Sequence, residues 1–387
     1  MSLTVVGSEI LISLNKKVIF LDPVKHQITK SLTIEPDIVP EIDLNPVGPE
    51  ASENPNPPSN KEPLKGIQHV QASPNGEYLA ITTTGNKLLL LYKIHATELG
   101  LLSARRISRA SSAITFSNDS SKVLLSDKTG DCYLYDCLDY KAPGKWLFGH
   151  LSMVLDVRFT PAQDAVLTAD RDEKIRVTNF PATHEIECFC LGHTEYVSSI
   201  NLLPSQPNKM VVSLSGDKSM RIWDFRAGKQ LHQVSIPAPG IKLAVRQVEE
   251  SVSHVAVLVY QPDESIFIYK LQQSTEGFES SLRSSHSFPG QIVTDLEFRD
   301  DDLFLTTSVD GRLRLQRVKC ESGDYSTQDT TKLNEVIDQV FGEEQITEME
   351  DVSGWFKKKF DNVSEYLERK KRRIDEKLNK NTSVRCN

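Results

Sequence analysis

The sequence lacks the short motifs that mark the common catalytic and nucleotide-binding sites. Its 387 residues contain no glycine-rich phosphate loop, no Gly-x-Ser-x-Gly nucleophile motif and no His-Glu-x-x-His zinc motif. No strand–turn–helix pattern that could hold a nucleotide is present either. We therefore predict that the chain is not an enzyme by itself and that it binds no cofactor or metal of its own.

Cysteine is scarce and irregularly placed. The six cysteines show no regular spacing, and only Cys188 and Cys190 lie two residues apart. A single Cys-x-Cys pair without a second pair is weak evidence for a metal site, so we expect buried, reduced thiols. Such thiols are typical of proteins of the cytosol or nucleus.

Long apolar runs are also missing. No segment approaches the ~18 uninterrupted apolar residues of a membrane-spanning helix. The apolar stretch near the start of the chain is interrupted by Ser8 and Glu9. These features predict a soluble protein that is not secreted.

What the sequence does contain is a repeat. From Leu191 to Arg226 a Gly-His pair is followed by two alternating apolar runs, a turn at Gly216 and Asp217, and a closing Trp-Asp pair. The segment from Gly149 to Phe180 has the same Gly-His opening but ends in Thr-Asn. This is the pattern of WD-type blades of a β-propeller, which bury their faces only against further blades.

The period of the repeat predicts the number of blades. The residues that end each third strand are spaced by 71, 43, 43, 45, 46 and 47; they are Asp22, Lys93, Asp136, Asn179, Asp224, Lys270 and Arg317. All intervals but the first are close to the ~40–45 residues of a WD-type blade. An acidic, proline-rich inter-blade loop over residues 36–65 explains the first interval. We predict an all-β, seven-bladed propeller in which a strand from Leu3 to Val6 completes the last blade.

Charge and composition divide the chain into three parts. We assign the propeller to residues 1–318, a flexible acidic linker to 319–354 and a basic helical tail to 355–387. Residues 351–387 contain 11 basic and 6 acidic residues and carry a net charge of +5. Because the net charge of the whole chain is −8, residues 1–350 carry −13. Because phosphate binding depends on Lys and Arg, a mostly acidic propeller predicts that any RNA contact is local.

Several residues of the repeats are expected to be structural. His150 and His193 open their blades, and in WD-type blades such a histidine bonds inward to a turn aspartate and a strand Ser or Thr. We predict Asp172 and Asp217 as the respective aspartates. Trp223 is predicted to lie in the core of its blade.

The turn from Ala169 to Arg176 is the main candidate for partner binding. It contains six charged residues among eight, which is more than a turn aspartate and solvation require. For Arg176 an ordinary solvated strand arginine is the alternative, because Arg221 is its equivalent in the next blade. For Asp172 and Glu173 a structural role in the turn remains open.

The tail combines an apolar stripe with a basic run. Its apolar residues recur at helical spacing and are Phe356, Phe360, Val363, Leu367, Ile374 and Leu378. The basic run consists of Arg369, Lys370, Lys371, Arg372 and Arg373. Three interpretations stay open, which are contact with an RNA backbone, a nuclear-import signal and a solvated, frayed tail.

Several runs of this sequence resemble a known family. They are GHLSMVLDV, LTADRDEKIRV, CLGHTEYVS, SGDKSMRIWDFRAGKQLH and, in the tail, FDNVSEYLERKKRR. They are similar to the WD-repeat, non-catalytic subunit of the eukaryotic tRNA (guanine-N(7))-methyltransferase. The likeness covers the third to fifth blades and the tail, whereas the first blade and the proline-rich loop show little of it.

The resemblance implies a heterodimer. The partner would be the catalytic subunit, which binds S-adenosylmethionine and methylates a guanine in the variable loop of tRNA, and this chain would hold it in its active conformation. In the family the partner docks on the charged blade turn and its edge strand, which implies partner contacts at Arg171, Asp172, Glu173, Lys174 and Arg176. It also implies tRNA binding through the complex. The basic run and the expected reduced thiols predict a nuclear location, with the cytoplasm as an additional site.

A general interaction scaffold is the alternative function. Propellers serve many unrelated functions, and a substrate adaptor of a ubiquitin ligase is one example. A dedicated subunit would bind one partner tightly through the charged turn, whereas a scaffold would bind several ligands at the rim of the propeller.

Overall fold

The protein is a ring of seven four-stranded antiparallel sheets. The computed structural model describes residues 1–38, 62–260, 265–321, 323–342, 344–347, 352–356 and 370–371. In every sheet the four strands are consecutive in the chain and hydrogen-bonded in order. Within this described part the all-β, seven-bladed propeller predicted from the sequence is confirmed.

The first four blades follow one another without exchange of strands. Blade 1 consists of β1 to β4, Ser2–Val6, Glu9–Leu14, Lys17–Asp22 and Gln27–Thr33. Blade 2 consists of β5 to β8, Gly66–Ala72, Tyr78–Thr84, Leu88–Ile94 and Leu99–Arg106. Blade 3 consists of β9 to β12, Ser111–Phe116, Lys122–Asp127, Asp131–Asp136 and Lys145–Gly149. Blade 4 consists of β13 to β16, Val154–Phe159, Ala165–Asp170, Lys174–Asn179 and Ile186–Leu191.

Three further blades and two helical segments complete the described structure. Blade 5 consists of β17 to β20, Val197–Leu202, Met210–Ser215, Ser219–Asp224 and Lys229–Ser235. Blade 6 consists of β21 to β24, Gly240–Glu249, Val252–Val259, Ser265–Ser274 and Gly277–Ser287. Blade 7 consists of β25 to β28, Ile292–Arg299, Asp302–Val309, Arg312–Glu321 and Asp324–Gln328. Helix α1 spans Thr331–Phe341, and a 3₁₀ turn spans Val352–Trp355.

The core lies between the blades. The second strands are buried on both faces, as the all-buried patterns of β14 and β18 illustrate, and the third strands add further buried apolar side chains. Their apolar side chains form seven clusters, each shared by two neighbouring blades. Because one of these clusters joins blade 7 to blade 1, the ring is closed by apolar packing.

The predicted closure by a shared strand is wrong. The first strand pairs with β2 inside its own blade, with Leu3 opposite Ile12. Blade 7 has a fourth strand of its own, β28, which pairs with β27. The two blades are also joined by a hydrogen bond from the Leu3 backbone amide to Asp295 Oδ2 at 2.8 Å.

The predicted acidic linker is wrong over much of its length. Residues 319–321 still belong to β27, and residues 324–328 form β28. Helix α1 follows, and it buries Leu333, Ile337 and Phe341 in the cluster between blades 7 and 1. Of the two acids in this helix, Glu335 is exposed and Asp338 forms an ion pair with Arg314 of blade 7 at 2.7 Å. A segment with many acids is therefore part of the folded domain.

The two ends of the blades define two faces. We call upper the face that carries the turn between the second and third strands of each blade and the connections between blades. The other turns lie on the lower face, since successive antiparallel strands reverse direction. Of the predicted inter-blade loop, residues 36–38 and 62–65 are described on the upper face, and residues 39–61 lie outside the described residues.

Candidate partner and RNA interface

Each of the two blade histidines is held by a carboxylate and a hydroxyl. In blade 5 His193 Nδ1 lies 2.8 Å from Asp217 Oδ2, and Nε2 lies 2.7 Å from Ser213 Oγ. Trp223 Nε1 donates to the same Ser213 oxygen at 2.8 Å. Burial lowers the pKa of His193, and although burial favours a higher pKa for Asp217, hydrogen bonds from His193 and Ser219 lower it.

Blade 4 contains the same network with a different aspartate. His150 Nδ1 lies 3.2 Å from Asp170 Oδ2, and Nε2 lies 2.9 Å from Thr168 Oγ1. The prediction that Asp172 is the partner of His150 is therefore wrong. Asp170 ends β14 and also accepts the Lys174 backbone amide at 3.0 Å, so one carboxylate fixes both the histidine and the turn.

The charged turn of blade 4 lies on the upper face. Arg171, Asp172 and Glu173 connect β14 to β15, and Lys174 begins β15. All four side chains are partly exposed. Glu173 adopts a left-handed backbone conformation with φ of 75°, which tightens the turn. With Asp170 in the histidine network, no described contact assigns Asp172 to that network, and its charge remains at the surface.

Arg176 has an intramolecular role that the sequence did not indicate. Its side chain is 8% exposed and its guanidinium lies 4.6 Å from the centroid of the Phe148 ring. It donates to Gly149 O and to Thr178 Oγ1, both at 3.0 Å. Burial lowers the pKa of Arg176. The alternative of a solvated strand arginine is thus wrong, and Arg176 joins blade 4 to blade 3.

The edge strand of blade 4 is unusually apolar for an outer strand. In β16 the side chains of Ile186, Phe189 and Leu191 are exposed, and that of Leu191 is 62% exposed. Leu191 lies opposite Lys174 in the register, and Phe189 lies opposite Arg176. The charged turn and the apolar edge therefore share one end of blade 4.

The segment that follows α1 crosses the upper face. The backbone amide of Ile346 donates to Gly311 O in blade 7 at 2.8 Å, and Asn15 Nδ2 in blade 1 donates to Gln345 O at 2.9 Å. Lys17 forms an ion pair with Glu344 at 2.5 Å. These contacts hold residues 344–346 on the upper face at blades 7 and 1.

Two aromatic residues further along the chain contact blades 5 and 6. Trp355 packs edge-on against Tyr196 with a centroid distance of 5.5 Å. Phe356 lies 5.1 Å from the Tyr196 ring and 5.8 Å from the Tyr260 ring. Tyr196 immediately precedes β17 of blade 5, so the basic tail begins on the upper face at blades 5 and 6. Neither Tyr196 nor Tyr260 carried a sequence signal for this contact.

Most of the predicted basic tail helix lies outside the described residues. Within the run only Lys370 and Lys371 are described, and both are helical and exposed. Arg369, Arg372 and Arg373 lie outside the described residues, so their predicted roles stay predictions.

Three further findings concern metals, thiols and membranes. Among the described residues no three His, Cys, Asp or Glu side chains form a group that could hold a metal ion. The five described cysteines are free thiols, and burial raises the pKa of Cys137 to about 12. No helix in the described part of the chain is long and apolar enough to cross a membrane.

Comparison with known proteins decides the family. Over residues 23–143 and 138–277 the chain matches the family described as the tRNA methyltransferase TRM82 WD40 domain. The chain belongs to this family. It is 39% identical to the tRNA (guanine-N(7)-)-methyltransferase non-catalytic subunit wuho of Drosophila mojavensis, with 95% of this chain and 96% of that protein covered. The subunit of the same name from Drosophila melanogaster is 42% identical over 80% of this chain and 75% of that protein.

A solved structure supports the fold alone. A chain of the structure titled Crystal Structure of Mitotic Checkpoint Complex aligns with a TM-score of 0.58 over 79% of this chain and 86% of that chain. The sequence identity is 14%, so this similarity concerns the arrangement of strands and carries no information about function.

Proposed function

We propose that this chain is the non-catalytic subunit of a tRNA (guanine-N(7))-methyltransferase. One observation carries the proposal, namely that relatives bearing this name match 95% of the chain at about 40% identity. The catalytic subunit would bind S-adenosylmethionine and methylate the guanine. The propeller would bind that subunit, stabilise its active conformation and contact tRNA only as part of the complex.

We place the docking surface at the upper end of blade 4. Stable interfaces combine desolvated apolar contacts with charged groups that set orientation. The exposed Phe189 and Leu191 of the edge strand supply the apolar part. Lys174 lies directly opposite Leu191 and, with Arg171, supplies charge beside it. Arg176 supports this surface from below, because it stacks on Phe148 and holds β15 in place.

The first prediction concerns the division of labour. The isolated chain is expected to show no saturable binding of S-adenosylmethionine and no methylation of tRNA, and activity is expected when the catalytic subunit is added. Titration calorimetry with the cofactor and a methylation assay on unmodified tRNA measure both. Saturable cofactor binding by this chain alone would contradict its non-catalytic role.

The second prediction concerns the tail. Because Trp355 and Phe356 are packed on the propeller, the deletion should begin at residue 357. Residues 357–387 contain 11 basic and 5 acidic residues, so their removal takes away a net +6. The heterodimer is expected to form, but its affinity for tRNA should fall. The slope of log binding constant against log salt concentration should become shallower by about 1 for each lost phosphate contact.

Replacing Lys370 and Lys371 together with their neighbours distinguishes the two proposed roles of the basic run, which are tRNA binding and nuclear import. Alanine at Lys370, Lys371, Arg372 and Arg373 should weaken the binding of all tRNAs similarly. We propose that the complex resides in the nucleus, and imaging of the tagged variant measures import. A variant that binds tRNA like the wild type but no longer accumulates in the nucleus would show that the run serves import alone.

A further inference from the structure

The lower face of the propeller is acidic. In the described residues its turns contain ten acidic and four basic residues. The basic ones are Lys25, Lys141, Lys209 and Arg226. The acidic ones are Glu77, Glu98, Asp119, Asp139, Asp164, Glu185, Glu250, Glu276, Asp300 and Asp301. Much of the negative charge that the sequence attributes to the whole propeller is therefore concentrated on one face.

The upper face of blades 2 and 3 has the opposite character. From Lys65 onwards its turns and connections contain four basic residues, Lys65, Lys87, Arg109 and Lys128, which we call the basic arc. The turns of Lys87 and Lys128 and the connection of Arg109 contain no acid, whereas the connection that ends at Lys65 also contains the exposed Glu35, Asp37 and Glu62. Lys65, Arg109 and Lys128 are exposed and Lys87 is partly exposed. Within the described part of the chain, none of the four forms an ion pair.

Backbone hydrogen bonds fix these residues next to one another. The Lys65 amide donates to Thr84 O at 3.1 Å, in the strand that leads to the turn of Lys87. The Ile107 amide donates to Lys87 O at 2.9 Å, and the Lys128 amide donates to Ala110 O at 3.0 Å. Each of these hydrogen bonds joins a connection between blades to the neighbouring turn. The four basic residues therefore lie next to one another along the rim of the upper face.

The nearest acids of blade 3 are occupied within the protein. Asp127 is 1% exposed, and its Oδ1 accepts the backbone amides of Gly130 and Asp131, both at 3.1 Å. Asp131 Oδ1 accepts Trp146 Nε1 at 2.9 Å. These carboxylates shape the turn and the edge strand, and they leave the lysines of the arc free to attract an external anion.

We propose that the basic arc binds the phosphate backbone of tRNA when the heterodimer is assembled. This inference rests on the proposed function and adds a second RNA contact to that of the tail. The arc lies on the same face as the charged turn of blade 4 and the start of the tail at Trp355. A tRNA that reaches the tail therefore lies over the same face as the arc.

The composition of the arc favours nucleic acid over protein. A protein partner needs apolar or aromatic groups that become buried at the centre of the interface. The residues beside the arc's charges are polar, namely Asn86, Ser108 and Thr129. Lysines and an arginine spread over four separate loops instead match a chain of phosphates, which is recognised by point charges without burial of apolar area.

The test removes the arc from the intact heterodimer. The variant combines Lys65→Ala, Lys87→Asn, Arg109→Ala and Lys128→Ala; asparagine is chosen at residue 87 because its φ is 53°. A control variant changes Lys25, Lys141, Lys145 and Lys209 to alanine, which removes the same charge from the lower ends of the blades. At ~0.1 M salt the arc variant should bind tRNA roughly tenfold more weakly, with a salt slope shallower by about 2–4.

The outcomes separate this inference from the proposed function. If the wild-type complex neither forms nor binds tRNA, the proposed function fails. If it binds tRNA and the arc variant has the affinity and slope of the control, the arc proposal alone is overturned. Loss of the heterodimer with unchanged RNA contacts would instead assign the arc to protein binding and also overturn it.

A photocrosslinking residue gives an independent readout of the same surface. Placed at residue 128 of the wild-type complex, it should crosslink to tRNA, and placed at residue 141 on the lower face it should not. Equal crosslinking from both positions would contradict the proposal even if the substituted variants were unstable.

Discussion

Replacing Lys174 by glutamate is expected to weaken assembly of the heterodimer strongly and to leave the propeller folded. Lys174 begins β15 at the surface, and only its backbone amide takes part in the network of Asp170. Loss of one member of a buried charged pair costs roughly 2–5 kcal/mol of binding free energy, whereas an exposed rim charge contributes about 1 kcal/mol or less. The expected loss of affinity is therefore at least ~30-fold, measured by calorimetry with the catalytic subunit.

Lys218→Glu is the matched control for this experiment. Lys218 lies in the equivalent turn of blade 5, on the same face, and is exposed. Its reversal changes the net charge equally but should leave the affinity within about threefold of the wild type. If both variants bind the catalytic subunit with the same affinity, the charge of Lys174 makes no specific contact with it. The docking surface at the upper end of blade 4 is then excluded.

Arg176 is a poor choice for the same test. A glutamate there would place a carboxylate against Gly149 O, where the guanidinium now donates, and would remove the stack on Phe148. Burial of an unpaired charge destabilises the fold itself. Loss of the partner in an Arg176 variant would therefore not distinguish a lost contact from a damaged blade.

The histidine networks show how far the repeat could be aligned from sequence. The two Gly-His openings predicted both histidines correctly, and Asp217 was correctly paired with His193. His193 and Asp217 are 24 residues apart, but His150 and its aspartate are 20 apart. The loop between the first two strands is longer in blade 5, and the turn of blade 4 offers two aspartates two residues apart. Position in the sequence could not decide between Asp170 and Asp172.

The charge of the faces could not be predicted from totals. Net charge is a sum over the chain, whereas RNA binding depends on where each group stands. The alternation of turns between two faces is what separates Lys87 and Lys128 from Asp119 and Asp139, all within blades 2 and 3. The negative net charge of the propeller therefore gave no indication of the basic arc.

We misassigned the end of the propeller to a linker because we gave its acidic composition more weight than the spacing of its apolar residues. Between Cys320 and Asp351 the many acids suggested solvation. Yet Leu333, Ile337 and Phe341 recur every four residues, which places them on one side of a helix. Strand β28 has only one buried residue, Tyr325, so its signal was weak. Long-range packing against blade 1 stabilises α1, whereas β28 is held by its pairing with β27 and by Tyr325, whose hydroxyl lies 2.6 Å from His254 Nδ1 in blade 6.

Deleting residues 331–387 is accordingly expected to destabilise the propeller strongly. The deletion removes helix α1, whose Leu333, Ile337 and Phe341 are all buried between blades 7 and 1. It also removes Asn334, whose side chain accepts the Leu315 amide at 2.8 Å and donates to Leu315 O at 3.0 Å. Burial of each large apolar side chain contributes about 1.5–3 kcal/mol, so the free energy of unfolding should fall by on the order of 5 kcal/mol.

Chemical denaturation of three further proteins tests this role of the helix. Deletion of residues 357–387 leaves α1 in place and should change the free energy of unfolding by less than about 1 kcal/mol. Ile337→Ala should lower it by about 2–4 kcal/mol, because the side chain is fully buried. Glu335→Ala, on the exposed side of the same helix, should be near neutral. Equal stability of the Ile337 and Glu335 variants would show that the propeller closes without α1, and that the apolar cluster between blades 7 and 1 is sufficient by itself.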